Sequence, residues 1–304
     1  MKYSYILFTL LALILAASPA RAAYIDLGLA GEYNAFVLGD YTSNSSDTQG
    51  NLAVGGNAVM SSYNIGGSVV VGNNLSMTDG SIGGSVVVGG TASLTRVGIG
   101  RRSATGHATL PFDFDAQAAY LKNLSLTLSG TGANGTVDSK PWGVINLSGD
   151  NSSEFQVFNL NGSDLLNANT LTIDQIADGA TILINVSGAL SGLTNMGLLY
   201  PAEYSDNILF NFYEADQLFL DGVGVQGSIL APNARVTGAY GPYSGWGHID
   251  GTLVAGSYDS HIEQHDVPFD GGTPVPEPGT LLITGLGLIG MAGFLRRRGR
   301  RTNA

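Results

Sequence analysis

Between residues 50 and 100 the apolar positions recur with a fixed period. A 17-residue unit is written three times without a gap: GNLAVGGNAVMSSYNIG (50–66), GSVVVGNNLSMTDGSIG (67–83) and GSVVVGGTASLTRVGIG (84–100). Laid over one another, the copies align Leu52, Val69 and Val86, then Val54, Val71 and Val88, Met60, Met77 and Leu94, and finally Ile65, Ile82 and Ile99. Glycines align as well, at 50/67/84, 55/72/89 and 66/83/100. A short period with glycine corners and β-branched sides predicts a solenoid whose stacked coils share one core. Val and Ile favour the strands. Glycine, which reaches positive φ without steric cost, is expected where each coil bends.

The same patterns extend over the rest of the body. Tyr33–Tyr41 reads as a first strand and TSNSSDTQ (42–49) as a polar turn into the repeats. Arg101–Leu110 is a polar crossing. Asp113–Leu128 is predicted to be a helix, with an aspartate at its start and Phe114, Ala118, Leu121, Leu124 and Leu128 on one face. Strands are expected at 143–147, 155–160, 170–176, 181–186, 208–213 and 217–220, separated by Asn, Gly and Asp turns. Near the end GSILA (227–231) and GTLVA (251–255) repeat the pattern of GSVVV (67–71). The expected fold is therefore mainly β. It is a discontinuous β-solenoid (β-helix) with one flanking α-helix, whose late coils stack on the early ones. A signal helix precedes it and a membrane helix follows it.

Composition narrows the function classes. The chain has 304 residues, 44 of them glycine, no cysteine and 12% charged residues. Disulfides, thiolate metal sites and cysteine nucleophiles are excluded. Residues 23–275 hold six basic and 23 acidic residues, a formal net charge of −17, which argues against nucleic acid as a partner. Nothing in the sequence calls for a cofactor.

The two ends carry addresses. Lys2, the apolar stretch 6–17 and the small-residue site Ala20-Arg21-Ala22 before Ala23 form a secretory signal peptide, residues 1–22. At the other end Val275-Pro276-Glu277-Pro278-Gly279 precedes a charge-free apolar run, 280–295, and the cluster Arg296, Arg297, Arg298, Arg300 and Arg301. An apolar run followed by arginines is a stop-transfer design. The run is short for a bilayer, which predicts a transient anchor. This tail, with its linker spanning 271–304, resembles the PEP-CTERM sorting signal of Gram-negative bacteria. That resemblance implies an exosortase, a membrane transpeptidase-like enzyme, as the partner that reads Pro276, Glu277 and Pro278.

The body, residues 23–270, resembles the choice-of-anchor A domain. The matching stretches are YNAFVLGDYTSNSSDTQGNLAVGGNA (33–58), VFNLNGSDLLNANTLTID (157–174), ATILINVSG (180–188), ILFNFYEA (208–215), VQGSILAPNARV (225–236) and HIEQHDVPFDG (261–271). The resemblance implies an exported surface or extracellular-matrix adhesive module, in contact with polysaccharide or other surface proteins, and it brings no catalytic residues with it. At the level of architecture the layout also resembles ice-binding β-solenoids. Two alternatives stay open: a carbohydrate-binding or carbohydrate-active β-helix protein, and an ice- or metal-binding solenoid.

Several motifs bear on these alternatives. The loop YGPYSGWGH (240–248) sets Tyr240, Tyr243 and Trp246 among glycines, a platform for stacking on sugars or a cover for the solenoid's end. His261, Glu263 and His265 alternate, so on a strand they would share a face and offer a metal site; a polar closing strand is the plainer reading. Ser61, Thr78 and Thr95 form a short hydroxyl ladder. Arg96, Arg101 and Arg102 could meet an acidic polysaccharide; the plainer reading is that they balance Asp113, Asp115 and the general acidity of the body. Gly222-x-Gly224-x-x-Gly227 and Gly285-x-Gly287-x-x-Gly290 spell a dinucleotide fingerprint, but neither leads from a strand into a helix as such a site requires. The acids form no convergent pair of the kind hydrolysis needs, so no enzyme is expected.

Overall fold

The computed structural model describes residues 24–101, 106–238 and 246–271. Signal helix, membrane helix and sorting tail fall on residues 1–23 and 272–304, outside the described residues.

The repeats fold as coils. Each has a three-residue strand and an eight-residue strand: β1 (Ala35–Val37) and β2 (Tyr41–Thr48), β3 (Leu52–Val54) and β4 (Ala58–Ile65), β5 (Val69–Val71) and β6 (Leu75–Ile82), β7 (Val86–Val88) and β8 (Ala92–Ile99). All pair in parallel and in register, Leu52 on Val69 on Val86 and Met60 on Met77 on Leu94. Each long strand is bent at one residue, which makes three walls per coil.

Two expectations are corrected here. Residues 42–49 are not a turn: β2 covers most of them and forms a fourth early coil, in register with β4. Its inward positions are the small polar Ser43, Ser46 and Thr48, all buried, which hid the strand from a reading based on apolar alternation. Glycine does sit at the corners between strands, at 55–56 and 66–67 for example, but not for positive φ, and each long strand has a further bend at a left-handed residue that is not glycine. The left-handed residues are Ser45, Ser62, Asp79 and Arg96, with φ of 51°, 50°, 58° and 55°. The corner glycines are needed because the coils touch there: a Cβ on Gly72 or Gly89 would lie less than 3.0 Å from the carbonyl oxygen of the glycine one coil earlier.

After β8 the chain crosses to helix α1 (Phe114–Ser129), capped by Asp113, whose carboxylate accepts from the N–H groups of Asp115 and Ala116. It then enters β9 (Thr136–Ser139), β10 (Val144–Ser148), β11 (Phe155–Asn161), the short α2 (Gly162–Leu166), β12 (Thr170–Asp174), β13 (Thr181–Ser187), β14 (Leu190–Thr194) and β15 (Gly197–Leu199). The last stretch holds β16 (Ile208–Phe212), β17 (Gln217–Asp221), β18 (Val223–Gln226), β19 (Ser228–Thr237), β20 (Gly247–Asp250), β21 (Leu253–Asp259) and β22 (Glu263–His265).

The late coils stack on the early ones, as expected. Wall one runs β11-β13-β16-β19-β21-β1-β3-β5-β7, all parallel, with Ala35 opposite Leu253 at the seam. Wall two runs β14-β17-β19-β21-β2-β4-β6-β8. Wall three runs β18-β20-β22 into the second halves of β2, β4, β6 and β8. Strands β15, β12, β10 and β9 make a separate sheet in which only β9 is antiparallel to its neighbour.

A buried network closes the seam. The Tyr41 and Tyr63 hydroxyls lie 2.6 Å apart, Thr48 bonds both Tyr63 and the Gln264 side chain, and the Gln264 amide donates to Tyr41. The Tyr41 and Tyr258 rings stack at 4.6 Å. Burial pushes the phenol pKa of Tyr41, Tyr63 and Tyr258 up. Fully satisfied, such a network favours one register over its alternatives.

Helix α1 covers wall one. Leu121 and Leu128 pack with Phe36, Ala53, Leu183, Leu209 and Val254 from the wall's outer side. Beneath its last turns Asn159, Asn185 and Asn211 form a ladder. The Asn211 amide donates to Asn185 and to the Ser125 carbonyl, and the Asn185 amide donates to the Leu128 carbonyl. The helix end is thereby satisfied from below. Ile25 and Leu27 bury in the same layer, and the Ile25 N–H donates to the Gly271 carbonyl at 3.0 Å, so the two ends of the body meet.

Candidate functional site

Wall two carries mostly exposed outward positions on the early coils. On the early coils its outward positions form two rows, Thr42, Val59, Ser76 and Ser93, and Asn44, Ser61, Thr78 and Thr95. The hydroxyl ladder Ser61–Thr78–Thr95 is therefore in register, and Asn44 adds a fourth rung. Parallel strands stand about 4.8 Å apart, so each row is a regular line of small, mostly hydroxyl side chains.

The first row continues across the seam, where Thr42 faces Asp259 and Asp259 faces Thr237. There the face deepens into a groove of about 320 Å³ lined by Gln217, Phe219, Arg235, Thr237, Gly238, Asp259, Ser260 and His261. Arg235 Nη2 lies 2.6 Å from Asp259 Oδ2, with both side chains about half exposed (53% and 50%). An exposed pair of this kind adds little stability. Its planar fork and the neighbouring aromatic ring and amide suit a polyhydroxylated ligand better than an apolar one.

Wall three carries a second cluster. β20 and β22 are neighbours, with Asp250 opposite His265 and His248 opposite Glu263. Asp250 lies between two imidazoles, 2.6 Å from His265 Nδ1 and 3.6 Å from His248 Nε2. The rings stack with centroids 4.8 Å apart. Burial and then the charge of Glu263 push the Asp47 carboxyl pKa up, opposed by His265.

The structure separates some residues that the sequence groups together. Glu263 and His265 share the outer face of β22, their side chains 3.5 Å apart. His261 precedes that strand and lines the wall-two groove, because the coil turns its corner between residues 259 and 263. His265 is joined instead by His248 and Asp250, which sequence reading missed because the register that brings 248–250 beside 263–265 is not visible in the chain. Trp246 is 78% exposed and its carbonyl accepts from the Gly222 N–H. Tyr240 and Tyr243 lie outside the described residues, as do Pro276, Glu277, Pro278, Arg296, Arg297, Arg298 and the leader positions Ala20, Ala22 and Ala23.

Arg96 balances an acid of the coils and not Asp113 or Asp115: it pairs with Asp79 one coil away, at 2.5 and 2.7 Å. Arg102 lies outside the described residues. Gly222 and Gly227 flank β18, a coil strand, and Gly224 lies within it.

Comparison with known families adds the identity of the fold. Residues 26–266 match the family described as "Putative Ice-binding-like adhesive domain". The chain belongs to that ice-binding-like adhesive family. Residues 274–301 match the PEP-CTERM protein-sorting motif, which implies export, sorting to the bacterial cell envelope and processing by an exosortase. No curated protein matches the chain. Among solved structures, the ice-binding protein of the Antarctic ascomycete Antarctomyces psychrotrophicus is 12% identical, with 78% of this chain and 98% of that one covered at a TM-score of 0.32. The family match, residues 26–266, spans every coil described above, from β1 to β22.

Proposed function

We propose that this is an exported adhesive module of the choice-of-anchor A kind, held on the surface or in the matrix of a Gram-negative bacterium, and that wall two grips extracellular polysaccharide. Export starts with the 1–22 leader, and the 280–295 run anchors the chain transiently until an exosortase acts at Pro276-Glu277-Pro278. Family membership and the sorting motif support the surface role. The observation that carries the ligand class is the continuity of wall two, in which hydroxyl rows on four coils lead into the groove of Gln217, Phe219, Arg235 and Asp259. An extended sugar chain meets hydroxyls along the rows and a forked cation and an aromatic ring in the groove. Gly238, one of the groove's lining residues, precedes Tyr240, Tyr243 and Trp246 in the sequence. The reading has no catalytic step: among the groove's lining residues Asp259 is the one carboxylate, and it is paired with Arg235.

The test is a glycan array probed with the tag-free body, residues 24–271. We expect retention of a polysaccharide class that Arg235→Ala or Phe219→Ala weakens about tenfold, roughly 1.4 kcal/mol. Equal retention by the variants, or none by the parent, contradicts it. The two regular rows on the early coils favour ice as a second reading. Thermal hysteresis lost in Thr78→Tyr, with glycan retention absent, would select it.

A further inference from the structure

We propose that wall three holds one divalent transition-metal ion of the zinc class, ligated by His248, Asp250 and His265, with a fourth position open to solvent. Two imidazoles and a carboxylate form a donor set that suits zinc, whereas calcium and magnesium require oxygens. One ligand atom from each of the three residues lies within 4.8 Å of the others, so side-chain rotations that close the widest gap by roughly 1–1.5 Å bring them to the about 3.3–3.5 Å between ligands of a tetrahedral zinc ion. They stand on two neighbouring strands, so the backbone register sets their separation before any ion arrives.

The surroundings are arranged for the ring nitrogens. With Nδ1 of His265 directed to Asp250, its Nε2 lies 3.5 Å from Glu263 Oε2. A carboxylate on the far nitrogen fixes the tautomer and orientation of a ligating histidine. Gly224, opposite His248 in the register, leaves the space the other ring occupies: a Cβ there would come 2.6 Å from Cε1 and 2.7 Å from Nε2. Two buried polar atoms at the flanks, Asp47 Oδ1 from β2 and Gln226 Oε1 from β18, have no hydrogen-bond partner among the described residues. Asp47, Asp250 and Glu263 together give the patch a negative field without a lysine or arginine among these groups. The ligands are neither exposed nor fully buried, at 39%, 25% and 29% side-chain exposure, which leaves one side for water or a carboxylate from a partner.

The experiment is calorimetric titration of tag-free residues 25–272, a compact unit with its own core, with Zn²⁺, paired with the visible spectrum of the Co²⁺ form. We expect one equivalent bound, a four-coordinate Co²⁺ spectrum, and at least tenfold weaker binding in His248→Gln, Asp250→Asn and His265→Gln. Glu263→Gln should weaken binding less, and His261→Gln should leave it unchanged. All five side chains reach the outer surface, and melting of the metal-free variants checks their folding. Absence of zinc uptake by the parent overturns the proposal, as does uptake that persists in His248→Gln. A parent Co²⁺ spectrum of octahedral, all-oxygen type overturns it whatever the variants do.

Discussion

At the bend of every early long strand the backbone passes through a left-handed residue with a side chain: Ser45, Ser62, Asp79 and Arg96. Positive φ costs an L-residue about 1–2 kcal/mol, yet here it recurs four times. The parallel ladders on either side of each bend hold it, with Asn44 paired to Ser61 and Ser61 to Thr78 before the bend, and Ser46 to Tyr63 and Tyr63 to Gly80 after it. The glycines do something else, since their missing Cβ lets successive corners meet carbonyl to Cα. Gly72→Ala should therefore cost about 1–3 kcal/mol, as overpacking does. Ser62→Gly should stay within about 1 kcal/mol of the parent, because relief of strain offsets the added freedom of the unfolded chain. Denaturant midpoints of the two variants check the contrast. The positions of the corner glycines were legible in the sequence, but their purpose was not: a repeated glycine looks the same whether φ or close approach demands it.

At the scale of elements, α1 was the most legible. Its cap, its length and four of its five apolar positions fixed its face, and Leu121 and Leu128 are buried where spacing put them. Ser125 was missed. A serine on the buried face reads as a fault until Asn211 appears beneath it, its Oδ1 2.6 Å from Ser125 Oγ. Asn159, Asn185 and Asn211 are spaced 26 apart. That second period was present in the chain as Phe158-Asn159-Leu160, Ile184-Asn185-Val186 and Phe210-Asn211-Phe212. It escaped notice because long excursions separate its copies. Since helix and ladder satisfy each other, Leu121→Ala should destabilise the body by about 2–5 kcal/mol. Amide exchange in β13 and β16 should rise with it, which locates the loss at the helix-covered wall and not in the early coils.

Across the whole molecule the two candidate sites depend on one topological fact. The groove draws on β17, β19 and β21 and the histidine cluster on β20 and β22, all late strands. Both reach the early coils only through the seam. The echo of GSVVV in GSILA and GTLVA announced that the coils belong together, but not which edges meet. The deciding contacts, Tyr41 with Tyr258 and Gln264, are polar or aromatic and carry no periodic signal. The chain has no cysteine, so one engineered pair reports the seam without background. Thr42 and Asp259 are register partners on the outer face of β2 and β21. Thr42→Cys with Asp259→Cys should close to a disulfide in nearly every molecule under mild oxidation, since neighbouring strands fall within bridging distance. Thr42→Cys with Ser93→Cys, three strands apart at about 14 Å, should stay reduced. A Thr42–Asp259 pair that oxidises no better than that control would contradict the seam, and with it the single solenoid on which both sites rest.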